Sequence, residues 1–200
     1  NDDSDFRSIL VAIKGVGGVA GITAGDPGMV VTLLDEIKAS GRRDIAAFNA
    51  VRPPEAEVPG VERACAIAVE TGAQIHFRQI SCAASIDILK RFADHDTISS
   101  EVTPHNLLLT NEDAERLGPY GAVIPPLRSD ADCAALQSAL RDGTIDIVAT
   151  DHAPHHADEK REDFDHAPFG IVGLETAVSL CLDRLVKPGI ISLSRMVELL

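Results

Sequence analysis

The stretch Ala149-Thr150-Asp151-His152-Ala153-Pro154-His155-His156-Ala157-Asp158-Glu159-Lys160 carries three histidines, a lysine and several carboxylates. It follows the mostly apolar run Ile145-Asp146-Ile147-Val148-Ala149, which predicts a short buried strand. In parallel α/β folds the functional pocket lies beyond the carboxyl ends of the strands. Asp151 therefore occupies a position where catalytic and metal-binding side chains are common.

Strand and helix patterns alternate through most of the chain. Residues 73–80 and 97–102 have the alternation and composition of strands, whereas residues 29–40 place their apolar side chains on one helical face. An apolar run at residues 8–13 does not distinguish strand from helix. The alternation predicts a parallel α/β sheet or barrel.

Several polar residues and glycines mark expected helix ends. Ser85, Thr110 and Ser129 are predicted to cap the starts of three helices. Gly118 and Gly143 are predicted to end the last two of them.

The composition favours an enzyme that acts on small molecules. The chain has 200 residues, 45% of them hydrophobic, which is enough for one domain with a buried core. Its formal net charge of −13 argues against nucleic acid or an anionic membrane as a partner. No apolar run reaches the ~18 residues that a membrane span needs. The cysteines form no Cys-x-x-Cys pair, so we expect reduced thiols in a cytoplasmic protein: Cys65, Cys82, Cys133 and Cys181.

A glycine-rich segment near the amino end resembles a nucleotide-binding motif only loosely. Residues 15–20 read Gly-x-Gly-x-x-Ala, and Asp35 lies ~20 residues further on, as a dinucleotide site would require. Such a turn must open a helix, but Gly25 and Pro27 interrupt one here. We therefore expect a loop that leads into a strand at residues 19–23.

The stretch from Ala149 to Lys160 resembles the second signature of the dihydroorotases, which belong to the cyclic amidohydrolase family. That signature reads small residue, Ser or Thr, Asp, any residue, Ala-Pro-His, four residues, Lys, and the stretch satisfies it. The resemblance continues in order along the chain from residue 52. Further matching segments are Arg52-Pro53-Pro54-Glu55-Ala56-Glu57, Glu101-Val102-Thr103-Pro104-His105, Pro125-Pro126-Leu127-Arg128-Ser129, Asp142-Gly143-Thr144-Ile145-Asp146, Pro168-Phe169-Gly170 and Gly173-Leu174-Glu175-Thr176.

The resemblance implies a fold and a reaction. Residues 1–200 would form the C-terminal half of a metal-dependent-hydrolase β/α barrel, cut at both ends. The implied reaction interconverts N-carbamoyl-L-aspartate and dihydroorotate in pyrimidine biosynthesis. Allantoinase and dihydropyrimidinase are alternatives within the same class of hydrolase. The expected partners are a small-molecule substrate and either further copies of the chain or another subunit of a pyrimidine-pathway complex.

The resemblance also assigns roles to individual residues. Asp151 would bind a metal, implied to be one or two zinc ions, and would carry a proton from the attacking hydroxide to the leaving nitrogen. His155 matches a residue that contacts the substrate carboxylate. Phe169 and Gly170 match a backbone contact to the substrate ring.

Four positions depart from the family pattern. Gln79 stands where the family has a metal-binding histidine after the sixth barrel strand, and Thr23 aligns with the histidine after the fifth. Ile124 replaces a substrate-binding Asn, and Asn106 replaces a second histidine. Zinc prefers imidazole, thiolate or carboxylate, so these changes would leave a single metal or none. A catalytically silent subunit that serves assembly is therefore the alternative to an active enzyme.

The remaining histidines are assigned other positions. His105 follows Pro104 at a strand end and could face the same pocket, although a structural role is expected. His76 is expected to be a hydrogen-bonded residue within a strand. No role is assigned to Cys82. Adjacent residues of extended backbone point to opposite faces, so we expect His152 and His156 to lie behind the site or on the surface. His95 and His166 lie among acidic residues and are expected on the surface.

Overall fold

The computed structural model describes residues 3–162 and 166–200. Its helices and strands, in chain order, are α1 (Asp3–Gly15), β1 (Val19–Thr23), α2 (Pro27–Ser40), α3 (Ile45–Ala50), α4 (Pro54–Thr71), β2 (Gln74–Arg78), α5 (Ala83–Arg91), β3 (Ile98–Val102), α6 (Pro104–Leu108), α7 (Asn111–Leu117), α8 (Asp130–Asp142), β4 (Ile147–Val148), α9 (Ala177–Cys181) and α10 (Leu193–Leu199). Short 3₁₀ turns occupy Gly118–Gly121 and Glu159–Arg161, and a π-helical turn occupies Leu182–Val186.

The four strands form one parallel sheet in the order β1-β2-β3-β4. Ala20 pairs with Ile75, Ile75 with Ile98, and Val102 with Val148. One or more helices connect each strand to the next, as parallel pairing requires. The four carboxyl ends therefore meet at one edge of the sheet, and the α/β alternation predicted from the sequence is present.

One face of the sheet packs against the connecting helices. On β2, Ile75 and Phe77 are buried against apolar side chains of α4 and α5, including Val61 and Leu89. His76 lies between Ile75 and Phe77 in the strand and therefore points to the other face. The alternation thus separates an apolar face toward the helices from a face that carries polar side chains.

Most of the predicted helix ends are confirmed. Thr110 and Ser129 each form a capping box, and Gly118 and Gly143 follow the last residues of α7 and α8. The prediction for Ser85 is wrong, because α5 begins at Ala83 and Ser85 lies inside it. Its hydroxyl donates to the buried carboxylate of Glu57 instead of a backbone group.

Helix α4 continues without a break through Pro59. Pro59 is the sixth residue of α4, so the helix lacks the backbone hydrogen bond that an N–H at this position would make. Gly60 follows because a Cβ there would collide with the backbone nitrogen of Gly25. This close approach brings the loop after β1 against α4, where Asp26 N donates to Ala56 O at 2.7 Å.

All four cysteines are buried free thiols. Burial raises the pKa of the Cys82 thiol to about 12, so it is not a reactive thiolate. Over residues 3–162 and 166–200, no helix combines the length and apolarity that crossing a membrane requires.

Candidate active site at the carboxyl ends of the strands

The side chains expected at the site follow the carboxyl ends of the strands. Thr23 ends β1, Gln79 directly follows β2, and Asp151 lies shortly after β4. Gln79 and Asp151 have positive φ angles of 57° and 47°, which no other non-glycine residue in the described ranges has. Such backbone is strained for residues with a Cβ and is found most often at functional sites. Both strained residues therefore lie at the same edge of the sheet.

Gln79 and Asp151 interact at this edge of the sheet. Gln79 is buried, and hydrogen bonding from its side chain lowers the pKa of the Asp151 carboxyl group. Burial raises the pKa of Asp151, and the nearby Glu101 adds to this effect, whereas the Gln79 hydrogen bond and the charge of Arg78 oppose it. The result is a carboxyl group that retains a proton more readily than an exposed aspartate does. This property suits a group that must accept a proton and release it.

His105 lies against Asp151, a contact that the sequence alone did not establish. Its Nε2 is 4.0 Å from Asp151 Oδ2, and in the described parts of the chain this buried nitrogen has no hydrogen-bond partner. Burial lowers the pKa of His105 to about 4, so the imidazole is neutral near pH 7. A neutral imidazole beside the carboxyl group adds no positive charge to the site.

His76 makes the hydrogen bonds expected of it within the strand. Its Nε2 is 3.0 Å from Glu101 Oε2, and its Nδ1 is 2.9 Å from Ser99 Oγ. Both ring nitrogens are therefore engaged with residues of the neighbouring strand β3. This arrangement makes His76 part of the polar face of the sheet rather than a free ligand.

The structure brings together the three residues assigned to substrate binding. His155 Nε2 is 3.1 Å from Phe169 O, and Gly170 N donates to Ala122 O at 2.9 Å. Gly170 has a φ of 142°, and a Cβ there would lie 2.8 Å from Ala153 Cβ. Only glycine allows the two loops to approach this closely. His155, Phe169 and Gly170 thus form one rim, with His155 and Phe169 exposed.

Other residues of the signature hold this rim in place. His152 Nδ1 accepts hydrogen bonds from Gly173 N at 3.1 Å and Leu174 N at 3.2 Å, so His152 fixes the following loop. Lys160 is buried, and its Nζ donates to Pro119 O at 3.1 Å. His156 is exposed and lies beside Asp158. The placement of His152 and His156 agrees with what the sequence suggested, while the anchoring role of Lys160 was missed.

A buried polar cluster lies under the end of β2. Arg128 donates from Nε to Ser81 Oγ at 3.0 Å and from Nη1 to Arg52 O at 2.6 Å, and its Nη2 is 3.5 Å from Glu57 Oε2. Glu57 also accepts from Ser81 N and Ser85 Oγ. The cluster joins two of the family segments, residues 52–57 and 125–129, and holds the chain at Ser81, two residues beyond Gln79. The sequence alone indicated no role for Glu57 or Arg128.

The donor atoms of these residues do not fit a metal centre by themselves. Across residues 3–162 and 166–200, no group of three or more His, Cys, Asp or Glu side chains could hold a metal ion. Asp151 is the one carboxylate that the resemblance assigns as a ligand, and it is hydrogen-bonded to Gln79. Neither the amide of Gln79 nor the hydroxyl of Thr23 is a preferred zinc ligand.

The sequence of the chain is similar to the sequences of known dihydroorotases. The chain is 45% identical to a dihydroorotase of Halobacterium salinarum over 144 residues, which are 72% of the chain and 33% of that protein. A dihydroorotase of Methanosarcina mazei is 37% identical over 204 aligned residues, covering 98% of the chain and 44% of that protein. The chain belongs to the cyclic amidohydrolase family that includes the dihydroorotases. No protein-family model matches it.

The fold agrees with solved cyclic amidohydrolases as well. An L-hydantoinase (dihydropyrimidinase) from Arthrobacter aurescens superimposes on the whole chain with a TM-score of 0.93 and 30% identity, and 45% of that enzyme is covered. The predicted amidohydrolase β/α-barrel architecture is therefore confirmed for this part of the fold. The chain spans only part of the length of the relatives that it matches, from about a third to somewhat less than half.

Proposed function

We propose that the chain carries one part of the active site of a dihydroorotase-type hydrolase, which opens and closes the cyclic amide of dihydroorotate. The observation that supports this most directly is the Asp151 carboxyl group, which has a raised pKa and lies at the carboxyl edge of the sheet. The high identity to proteins named dihydroorotase favours this substrate over a hydantoin.

The chemistry needs a proton acceptor and a proton donor. Hydrolysis of a cyclic amide takes a proton from the attacking water and gives one to the departing nitrogen, and a single carboxyl group can do both in turn. Asp151 would perform this transfer, with Gln79 holding the orientation of its carboxyl group. The rim formed by His155, Phe169 and Gly170 would hold the substrate. Zinc, which the resemblance implies as one or two ions, would need most of its ligands from outside the described residues.

The wider setting is part of the same proposal. The relatives named dihydroorotase suggest a place in pyrimidine biosynthesis, in the cytoplasm, with a small-molecule substrate. Assembly into a homo-oligomer or with another enzyme of the pathway is proposed on the same basis.

A second candidate function is that of a silent subunit. The hydrogen bond between Gln79 and Asp151, together with the incomplete set of metal donors among the described residues, favours it. The test is turnover of dihydroorotate and of hydantoin by protein purified with the complete barrel, with metal content measured in the same sample. Turnover of dihydroorotate supports the proposal that the chain belongs to an active hydrolase. A folded protein that binds no zinc and turns over neither compound supports the silent subunit instead.

Replacing His155 with alanine should weaken substrate binding more than turnover. The imidazole is exposed on the rim beside Phe169 O, where it can meet a substrate carboxylate. We expect KM for dihydroorotate to rise about ten-fold, which corresponds to the loss of one charge-assisted hydrogen bond. Steady-state kinetics measure this KM. His156→Ala is the matched control, because His156 lies next to His155 in the sequence but pairs with Asp158. An unchanged KM in His155→Ala would remove this residue from the substrate site.

A further inference from the structure

A group of basic residues stands out in a chain that is otherwise strongly acidic. Residues 37–53 include four Lys and Arg residues and one Asp, whereas the whole chain has 18 Lys and Arg residues against 31 Asp and Glu. An acidic protein repels an anionic ligand at a distance, so a local excess of positive charge determines where such a ligand approaches. The four cations are Lys38, Arg42, Arg43 and Arg52.

These four cations border one cleft, of about 550 Å³, which we call the basic cleft. The second half of α2, helix α3 and Phe169 form its walls. Among the described residues that line it, only Asp44 is acidic. Helix α2 faces the cleft with Leu34, Ile37 and Lys38, so the acids elsewhere on this helix lie on other faces. The border of the cleft therefore carries a net positive charge.

Much of this positive charge is accessible to a ligand. Lys38, Arg42 and Arg43 are exposed, and the Lys38 ammonium group has no partner among the described residues. Arg42 is paired with Asp44 at 2.7 Å, but both side chains are about half exposed, so solvent and ions reach the pair. One carboxylate thus faces four cations, three of which lie at the surface.

The basic cleft is adjacent to the proposed substrate site. Phe169 lines the cleft, and its carbonyl oxygen is 3.1 Å from His155 Nε2 on the rim. Phe48 of α3 packs against the Phe169 ring with the centroids 6.0 Å apart, which ties the basic segment to the rim. Arg52 borders both the cleft and a smaller cavity beside Thr23, at the end of β1. The cleft and the carboxyl edge of the sheet therefore share bordering residues.

We propose that the basic cleft is the approach surface for the anionic substrate, and that its three exposed cations draw the substrate toward Arg52 and the rim. This inference rests on the proposed function, which supplies the substrate pair. Hydrolysis adds water to the ring amide, leaves one hydrogen on the nitrogen and releases a proton from the new carboxyl group. Dihydroorotate, with one carboxylate, thereby becomes N-carbamoyl-L-aspartate, with two. Attraction grows with ligand charge, so the cleft favours capture of the ring-opened compound.

Binding of three ligands that differ in charge tests the proposal in the complete protein. N-carbamoyl-L-aspartate carries two negative charges, dihydroorotate carries one and dihydrouracil carries none. Calorimetry or ligand-observed NMR measures their dissociation constants in protein with Asp151→Asn, where turnover does not interconvert them. We expect Lys38→Gln combined with Arg42→Gln to weaken binding of the dianion about five-fold at about 20 mM salt. The loss should be about two-fold for dihydroorotate and absent for dihydrouracil, and about 500 mM salt should remove most of it.

A matched control removes the same charge at the opposite edge of the sheet. Lys90 and Arg91 end α5, which begins beyond the carboxyl end of β2 and returns toward the amino end. They form exposed pairs with Asp142 and Glu62. Because salt screens charges at that distance, Lys90→Gln combined with Arg91→Gln should leave the binding of all three ligands unchanged.

Lys38→Gln alone guards against a folding defect, because Lys38 has no partner to lose among the described residues. It should give a smaller loss with the same order of ligands, at an unchanged melting temperature. Four results would overturn the proposal: no binding of N-carbamoyl-L-aspartate, equal binding in the Lys38 and Arg42 double variant, an equal loss for dihydrouracil, or an equal loss in the Lys90 and Arg91 control.

Turnover by wild type, measured separately, distinguishes this inference from the proposed function. Binding that is graded by ligand charge, without any turnover, supports the approach surface and contradicts the proposed hydrolysis. Turnover together with equal binding in the Lys38 and Arg42 double variant supports the hydrolysis and overturns the approach surface.

Discussion

Asp151→Asn should lower kcat for dihydroorotate by about 10²- to 10⁴-fold, the usual contribution of a positioned acid–base group. Asparagine keeps the shape of the side chain and can still accept the hydrogen bond from Gln79. It cannot take a proton from water or return one to nitrogen. The loss should therefore appear in kcat, with little change in KM.

The same substitution should leave the fold intact. Burial raises the folded-state pKa of Asp151 above its unfolded value, so folding favours the protonated form. Protonation of Asp151 therefore stabilises the fold fully at pH values below the pKa of Asp151 in the unfolded chain. This stabilisation is lost as the pH rises through the pKa of Asp151 in the folded protein. At pH 7 the ionised carboxylate thus carries a desolvation cost that asparagine lacks. We expect the melting temperature of Asp151→Asn at pH 7 to equal or slightly exceed that of wild type.

A control within the same segment makes the result specific. Asp158 is exposed and pairs with Arg161 at 2.8 Å, so Asp158→Asn removes one negative charge without touching the strand edge. Its kcat should stay within about two-fold of wild type. Wild-type turnover in Asp151→Asn, or equal losses in both variants, would contradict the role given to Asp151.

The parts of the site that the sequence could predict are encoded in short segments, residues 149–160 and 168–170. The run of residues from Ala149 to Lys160 places Asp151 after a strand and His155 on the following loop, and both are where the pattern indicated. Thr110 and Ser129 were also predictable, since a capping box involves only four neighbouring residues. The conformation at such positions is determined by neighbouring residues in the sequence and does not depend on tertiary packing.

The parts that could not be predicted depend on residues far apart in the chain. The sequence allowed His105 to face the same pocket, but its contact with Asp151 exists only because β3 and β4 are neighbours in the sheet. Ser85 has the composition of a helix cap, but the buried Glu57 carboxylate accepts its hydroxyl proton instead. The Ser85 hydroxyl could bond either a backbone group or the Glu57 carboxylate. It donates to the carboxylate because a buried charge without hydrogen bonds costs more free energy.

Arg128→Met should lower the free energy of unfolding by about 3–5 kcal/mol, because it leaves the buried Glu57 carboxylate without its charge partner. Both side chains are less than a tenth exposed, at 7% for Arg128 and 6% for Glu57. Removing Arg128 also removes its donations to Ser81 Oγ and Arg52 O. Chemical denaturation at pH 7 measures the loss.

Two further variants show that the cause is the unpaired charge rather than the changed volume. Glu57→Gln combined with Arg128→Met removes both charges, so the double variant should recover a large part of the lost stability. Arg7→Gln breaks an exposed pair with Glu70 and should cost at most about 1 kcal/mol. A double variant no more stable than Arg128→Met alone would show that the hydrogen bonds to Ser81 and Arg52 matter more than the charge. In either case the end of β2 loses its support, so Gln79 should hold Asp151 less firmly and kcat should fall with stability.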